Sequence, residues 1–228
     1  MLKCGRLRRS NGRHCENYTS RLITGSRQGS LHLPYRICTT FWVPETATEP
    51  RGLLAVVIWI IGLSGAGKTT LGRELARQWR LIGSNCVLLD GDELRDVFGH
   101  NGSDAAYAVS GRRMNAERMT ALCTLLDRQG VNVVCCILSL FPEMREANRH
   151  RFSRYFEVFL DAPLSALKAR DVKGLYSAAE SRTASNVVGV DIPFVRPTTA
   201  DLVINTSGEL PDWPQLAAQI LQRAGMRE

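Results

Sequence analysis

Five short apolar runs alternate along the chain with stretches in which apolar residues recur at helical spacing. The runs cover residues 55–61, 86–90, 131–138, 155–161 and 201–205. Continuous apolar runs are typical of strands buried on both faces, which occur in parallel sheets covered by helices. The alternation therefore predicts an α/β fold with three layers and a central parallel sheet of about five strands.

Regular periodicity is lost between residues 173 and 197, after the fourth apolar run. Long irregular stretches are uncommon in compact domains, and those that occur are most often functional loops. In nucleotide-dependent enzymes such a loop often closes over the substrates. We therefore expect a lid in this part of the chain.

The first apolar run leads into a glycine-rich loop, GLSGAGKTT, that fits the pattern G-x-x-x-x-G-K-[ST]. Glycines allow successive N–H groups to turn toward a triphosphate, and the following helix directs the positive end of its dipole at the same anion. Lys68 is expected to reach the β- and γ-phosphates, and Thr69 to bind Mg²⁺. A turn without a ligand is the alternative. The pattern predicts an ATP site made by Gly62, Leu63, Ser64, Gly65, Ala66, Gly67, Lys68, Thr69 and Thr70.

Two carboxylates, Asp90 and Asp92, follow the second apolar run. In open parallel sheets, ligands bind in the crevice outside the carboxyl ends of the strands. We interpret Asp92 as the base or orienting group for an attacking hydroxyl, and Asp90 as a ligand of Mg²⁺ through water. An acidic turn that caps a helix is the alternative. Arg95 is expected on the same side of a short helix as Asp92.

The positive charge of the chain is concentrated near its amino terminus. Of 29 basic and 22 acidic residues, residues 1–43 contain eight basic residues and a single acid. The remainder is balanced, which argues against a nucleic-acid partner. Residues 1–54 lack periodicity and are predicted to form a basic, disordered extension. A transit peptide, translated sequence upstream of a later start, and a nucleic-acid-binding arm are alternatives.

The cysteines and the length of the apolar runs indicate the cellular compartment in which the protein is expected. The seven cysteines lack paired metal-ligand spacing, and Cys135 and Cys136 lie in an apolar run, where we expect them to be small buried hydrophobic residues. The longest apolar run, residues 53–61, is far shorter than the roughly 20 residues of a membrane span. We expect a cytoplasmic protein that has no membrane partner.

Further motifs accompany the glycine-rich loop in a fixed order. They are DGD-x-x-R at residues 90–95, R-x-x-N at 112–115, EVFLDAPL at 157–164, RDVKGLY at 170–176 and NVVGVDIPF at 186–194. With these motifs the chain resembles the adenylylsulfate kinases over residues 55–228, which implies a P-loop kinase domain there. The resemblance implies ATP-dependent phosphorylation of the 3′-hydroxyl of adenosine 5′-phosphosulfate in sulfate assimilation. ATP and Mg²⁺ are the implied cofactors, the partners are small molecules, and a homodimer is left open.

The resemblance also assigns residues to roles. It implies Lys68, Asp92 and Ser139 as catalytic residues. Ser139 is included because it matches a serine linked to a phosphoserine form in some members. Arg170 is implied to lie near the base of ATP. The implied acceptor site consists of Asp92, Arg95, Tyr107, Arg112, Asn115, Ile137, Leu138, Ser139, Lys173 and Val187.

Four features depart from the family's pattern. Tyr107 and Val187 stand where the family places two phenylalanines that clamp the adenine of the acceptor, and Gly111 replaces an aspartate. The segment SLFPEMR is longer than the usual serine-proline-x-arginine. These departures keep two alternatives open: a kinase of the same scaffold for another small anionic hydroxyl compound, and a nucleotide-binding regulator without turnover.

Overall fold

A five-stranded sheet forms the centre of the protein. The structure is a computed structural model that describes residues 54–83, 85–100, 104–171 and 174–226. All neighbouring strands are parallel, in the order β2-β3-β1-β4-β5. The predicted α/β fold with about five parallel strands is confirmed. The strands are β1 (Val57–Ile61), β2 (Cys86–Asp90), β3 (Asn132–Ile137), β4 (Tyr155–Asp161) and β5 (Leu202–Asn205).

Helices connect the strands and cover the sheet, because parallel neighbours require crossover connections. Two helices were not expected: α3 (Asp104–Tyr107) lies in the polar segment after β2, and α7 (Leu175–Glu180) lies inside the stretch where periodicity is lost, so that stretch is not irregular throughout. The predicted extension at residues 1–54 lies, except for Leu54, outside the described residues. The helices are α1 (Lys68–Leu81), α2 (Gly91–Val97), α3 (Asp104–Tyr107), α4 (Val109–Arg128), α5 (Pro142–Arg151), α6 (Leu164–Arg170), α7 (Leu175–Glu180) and α8 (Trp213–Arg223).

The central strand β1 separates two hydrophobic clusters. Because side chains alternate along a strand, Ile58 and Ile60 join the cluster that contains residues of α1 and α8. Trp59 and Ile61 point the other way, into the cluster that contains Met119 of α4. Both faces of the sheet are therefore buried at β1 and β3, as the uninterrupted apolar runs predicted, whereas Val203 and Asn205 of the edge strand β5 are exposed.

Two cysteines of β3 lie inside this core. Cys135 and Cys136 are 0% and 1% exposed, which confirms the expectation that they act as small buried hydrophobic residues. The Sγ atom of Cys136 donates a hydrogen bond to the carbonyl oxygen of Lys68, 3.3 Å away. This contact places β3 directly against the start of α1. Among the described residues, no helix is both long and apolar enough to cross a bilayer.

We predict that Gly72→Ala destabilises the protein, although alanine normally favours a helix over glycine. A β-carbon on Gly72 of α1 would lie 2.3 Å from Sγ of Cys136 and 3.1 Å from Cδ1 of Leu88. Overpacking of this kind typically lowers the free energy of unfolding by about 1–3 kcal/mol, which outweighs the helix preference of about 1 kcal/mol. Urea unfolding measures the difference.

Two further variants are the controls for this prediction: one relieves the clash, and the other adds a methyl group in open space. Combining Gly72→Ala with Cys136→Ala removes the nearest clash and should restore part of the stability. Gly208→Ala introduces a methyl group where no atom lies within 4 Å, and it should change the free energy of unfolding little. Equal stability of Gly72→Ala and the parent protein would contradict the packing described.

Candidate active site

The loop between β1 and α1 has a backbone that only glycine adopts without strain at two positions. Gly65 and Gly67 have φ angles of 78° and 100°, in the left-handed region that favours glycine. A β-carbon on Gly62 would lie 2.9 Å from the carbonyl oxygen of Leu160. The loop therefore turns tightly at the carboxyl end of β1, as the glycine pattern predicts for a phosphate-binding loop.

Lys68 and Thr69 begin helix α1, directly after this loop. The Nζ atom of Lys68 donates a hydrogen bond to the carbonyl oxygen of Leu63 at 2.9 Å, so the side chain folds back along the loop. The Oγ1 atom of Thr69 donates to Oδ2 of Asp90 at 2.7 Å. The helix start thus carries an ammonium group and a hydroxyl group at the place where a triphosphate would lie.

Asp90 connects the phosphate loop to the next helix. Its Oδ1 atom accepts a hydrogen bond from the main-chain N–H of Asp92 at 2.9 Å, which caps α2. Asp90 therefore caps α2 and contacts Thr69 of α1 at the same time. Asp92 forms an ion pair of 2.8 Å with Arg95, one helical turn later, as their spacing predicted.

Two guanidinium groups lie close to the ring of Tyr107. The Cζ atoms of Arg95 and Arg112 are 5.1 and 5.7 Å from the ring centroid of Tyr107. Arg95 is 7% exposed, and its Nε atom has no hydrogen-bond partner among the described residues. Burial, and then the charge of Arg95, lower the pKa of Arg112. Two cations gathered in this way favour an anionic ligand.

The same arginines line a small pocket at the carboxyl end of β3, together with Asn115, Ile137, Leu138 and Ser139. The Nδ2 atom of Asn115 donates to the carbonyl oxygen of Gly91 at 3.3 Å, which ties α4 to α2. The structure thus brings together eight of the residues expected to bind the acceptor: Asp92, Arg95, Tyr107, Arg112, Asn115, Ile137, Leu138 and Ser139.

Ser139 occupies a constrained position in this pocket. Its φ angle is 58°, unusual for a residue other than glycine, and it is 6% exposed. The Nε1 atom of Trp59 donates to its Oγ atom at 3.4 Å, and Nη1 of Arg145 donates to its carbonyl oxygen at 2.8 Å. Arg145, which the sequence did not single out, holds this turn. The catalytic role implied for Ser139 stays a prediction.

The segment expected to form the lid is attached to α4. The Nη2 atom of Arg112 donates to the carbonyl oxygen of Asn186 at 2.8 Å. The carboxylate of Asp191 accepts hydrogen bonds of 2.6 Å from the N–H groups of Asn186 and Val187. Val187 is 2% exposed and belongs to the hydrophobic core. Val187 does not line the pocket that contains Ser139, and Lys173 lies outside the described residues, so the acceptor roles expected of both residues stay predictions.

Arg170 lies on the other side of the phosphate loop, after β4. Its Nη2 atom donates to the carbonyl oxygens of Thr206 and Gly208, in the segment that follows β5. Tyr176 of α7 also contacts the loop, because its hydroxyl group donates to the carbonyl oxygen of Ser64 at 2.9 Å. No separate role was expected for Tyr176, although it ends the motif RDVKGLY.

Comparison with known proteins identifies the family. The family model for adenylylsulphate kinase matches residues 54–205. The chain belongs to the adenylylsulfate kinase family. The structure of the Mycobacterium tuberculosis APS kinase CysC in complex with AMPPNP and APS superposes with a TM-score of 0.66 at 28% identity, covering 74% of this chain and 96% of that one.

Two relatives differ in the acceptor that their names give. An adenylyl-sulfate kinase from Synechococcus sp. (strain JA-3-3Ab) is 35% identical over 156 residues, which are 68% of this chain and 87% of that protein. A cytidine diphosphoramidate kinase from Campylobacter jejuni is 41% identical over 151 residues, which are 66% of this chain and 86% of that protein. Membership of the adenylylsulfate kinase family makes the chain a P-loop phosphotransferase that uses ATP.

For a member of the adenylylsulfate kinase family, we predict that Lys68→Ala nearly abolishes phosphoryl transfer. Removing one preorganised donor of charge stabilisation typically lowers the rate by a factor of about 10²–10³. Release of ADP in a coupled assay measures the loss, and the melting temperature should stay close to that of the parent protein.

Lys168→Ala provides the matched control for Lys68→Ala. Lys168 lies on α6, and its ammonium group forms an ion pair of 2.6 Å with Glu180 of α7. This variant should keep the parent's rate. Turnover of Lys68→Ala near that rate would show that the loop does not act as we describe.

Proposed function

We propose that this protein transfers the γ-phosphoryl group of ATP to the 3′-hydroxyl of adenosine 5′-phosphosulfate. The observation that carries the proposal is the convergence of Arg95 and Arg112 around the ring of Tyr107. Two guanidinium groups suit an anhydride that is charged on both its phosphate and its sulfate. An aromatic ring beside them suits the base of a nucleotide.

The donor and acceptor sides meet at Asp92. Phosphoryl transfer needs positioning and charge neutralisation more than covalent catalysis. In the proposed reaction, Asp92 orients the attacking hydroxyl and accepts its proton. The bond between the γ-phosphorus and the β–γ bridging oxygen breaks, a bond to the acceptor oxygen forms, and ADP leaves with Lys68 beside its phosphates.

Thr69 and Asp90 fit the Mg²⁺ ion that this chemistry uses. They present a hydroxyl oxygen and a carboxylate oxygen 2.7 Å apart at the start of α1, and Mg²⁺ prefers oxygen ligands, often through water. We propose that Thr69 binds the ion directly and Asp90 through water. When bound, Mg²⁺ neutralises charge on the β- and γ-phosphates.

Cytidine diphosphoramidate is the second candidate acceptor. Val187 is buried in the core and stands where the family places one ring of its adenine clamp, whereas Tyr107 lies beside the acceptor arginines and Phe141 lines the pocket with them. Without a ring at position 187 the clamp is smaller, which suits a pyrimidine, because a pyrimidine offers less stacking surface than adenine. The 41% identity to a kinase named for this compound supports the same alternative.

A panel of acceptors tests the proposal. Release of ADP should be measured with adenosine 5′-phosphosulfate, cytidine diphosphoramidate, and the 3′-deoxy form of each. We expect turnover of adenosine 5′-phosphosulfate and none of its 3′-deoxy form. Preference for the cytidine compound by tenfold or more in kcat/KM would replace the first acceptor with the second. Turnover of neither, with ATP still bound, would contradict both.

We predict that Gly111→Ala weakens binding of the acceptor. A β-carbon on Gly111 would lie 2.2 Å from the carbonyl oxygen of Ala105 and 2.8 Å from main-chain atoms of Ala106. Helix α3 must therefore shift, and it ends at Tyr107, whose carbonyl oxygen binds Arg112 at 2.7 Å. Loss of one base–aromatic stack corresponds to a rise in the acceptor KM of about tenfold.

The kinetic pattern separates this effect from general damage. The KM for ATP should change less than twofold, because the phosphate loop lies between β1 and α1 and contains no residue of α3. Ser110→Ala alters an exposed neighbour on α4 and should leave both KM values unchanged. A larger effect of Gly111→Ala on ATP than on the acceptor would contradict the proposed role of α3.

A further inference from the structure

An indole ring packs directly against the phosphate loop. Trp213 is the first residue of α8. A β-carbon on Gly67 would lie 2.6 Å from Cη2 and 3.0 Å from Cζ2 of its ring. Gly67 immediately precedes Lys68, the first residue of α1. The six-membered ring of the indole therefore lies beside the residues that hold the triphosphate of ATP.

The ring lies on the side of the loop opposite the acceptor site. The acceptor residues follow β2 and β3, whereas Arg170 and Trp213 come after β4 and β5, on the other side of β1. Arg170 donates hydrogen bonds to the carbonyl oxygens of Thr206 and Gly208, in the segment that leads to α8.

The main chain around Trp213 is held by contacts on both sides of it. The carboxylate of Asp212 accepts a hydrogen bond from the N–H of Gln215 at 3.0 Å and caps α8. The Nε2 atom of Gln78, on α1, donates to the carbonyl oxygen of Pro214 at 2.8 Å. The indole itself packs against the hydrophobic core and Gly67. A ring that is held before a ligand arrives loses less entropy on binding.

Exposure sets this tryptophan apart from two others in the described part of the chain. Trp59 and Trp79 are 2% and 0% exposed and belong to the core. Trp213 is half-buried and keeps part of its surface in contact with solvent. A fixed, partly exposed aromatic ring beside a triphosphate site offers a stacking surface to a base.

We propose that Trp213 is a donor-positioning residue that stacks against the adenine of ATP while the phosphate loop binds the triphosphate. The proposal concerns the donor alone and does not depend on which acceptor the enzyme uses. It predicts that removing the indole weakens ligands with a base and spares ligands that consist of phosphates only.

Calorimetric titration of Trp213→Ala with ATP and with inorganic tripolyphosphate tests the proposal. The dissociation constant for ATP should rise about tenfold, the size expected for the loss of one base–aromatic stack, and that for tripolyphosphate should stay within twofold. The KM for ATP should rise in parallel, while kcat at saturating ATP changes little. Leu210→Ala is the matched control, because Leu210 lies in the same segment and is 51% exposed.

Two outcomes would overturn the proposal. Equal weakening of ATP and tripolyphosphate would mean that Trp213 only supports the phosphate loop, and unchanged affinity for both would mean that it has no part in binding. If Trp213→Ala fails to fold, Trp213→Phe serves instead. In that variant the change in tryptophan fluorescence caused by ATP in the parent should disappear, and its persistence at full amplitude would also overturn the proposal.

Discussion

A single buried carboxylate connects the two halves of the active site. Asp90 is 6% exposed, and it accepts hydrogen bonds from the hydroxyl of Thr69 on α1 and from the main chain of Asp92 on α2. A buried charge is tolerated only when it is paired or well hydrogen-bonded. Because Asp90 needs both hydrogen bonds, it fixes the start of α1, on the ATP side, relative to the start of α2, on the acceptor side.

Three arginines also connect segments of the site, by donating hydrogen bonds to main-chain carbonyl oxygens. Arg112 binds the segment expected to form the lid, Arg145 binds the turn at Ser139, and Arg170 binds the segment before α8. The planar guanidinium group can make several such bonds at once. Carbonyl groups do not cancel its charge, so the crevice keeps positive groups for anionic substrates even though the chain beyond residue 43 is balanced in charge.

Much of the fold and of the donor site could be predicted from the sequence, because the signals are local. Each strand is a continuous apolar run, and the glycine pattern, the carboxylates after β2 and the three-residue spacing of Asp92 and Arg95 depend on neighbours in the chain. The family resemblance supplied the acceptor residues, most of which the structure brings to one pocket. Where helix α7 begins and ends was not predictable, since no periodicity marks it and its first turn is held by Asp171, which lies before the irregular stretch and accepts hydrogen bonds from the N–H groups of Tyr176 and Ser177.

The sequence by itself determined the layered α/β fold, the phosphate loop and the residues at the carboxyl ends of the strands, because periodicity and spacing along the chain encode them. Only the tertiary structure decided which positions pack together. It places Val187 in the core, leaves no room for a side chain on Gly111, holds Ser139 in a left-handed turn and brings Trp213 onto Gly67. The physical reason is that these contacts join residues of different elements, and no local pattern records which distant atoms will occupy the same space.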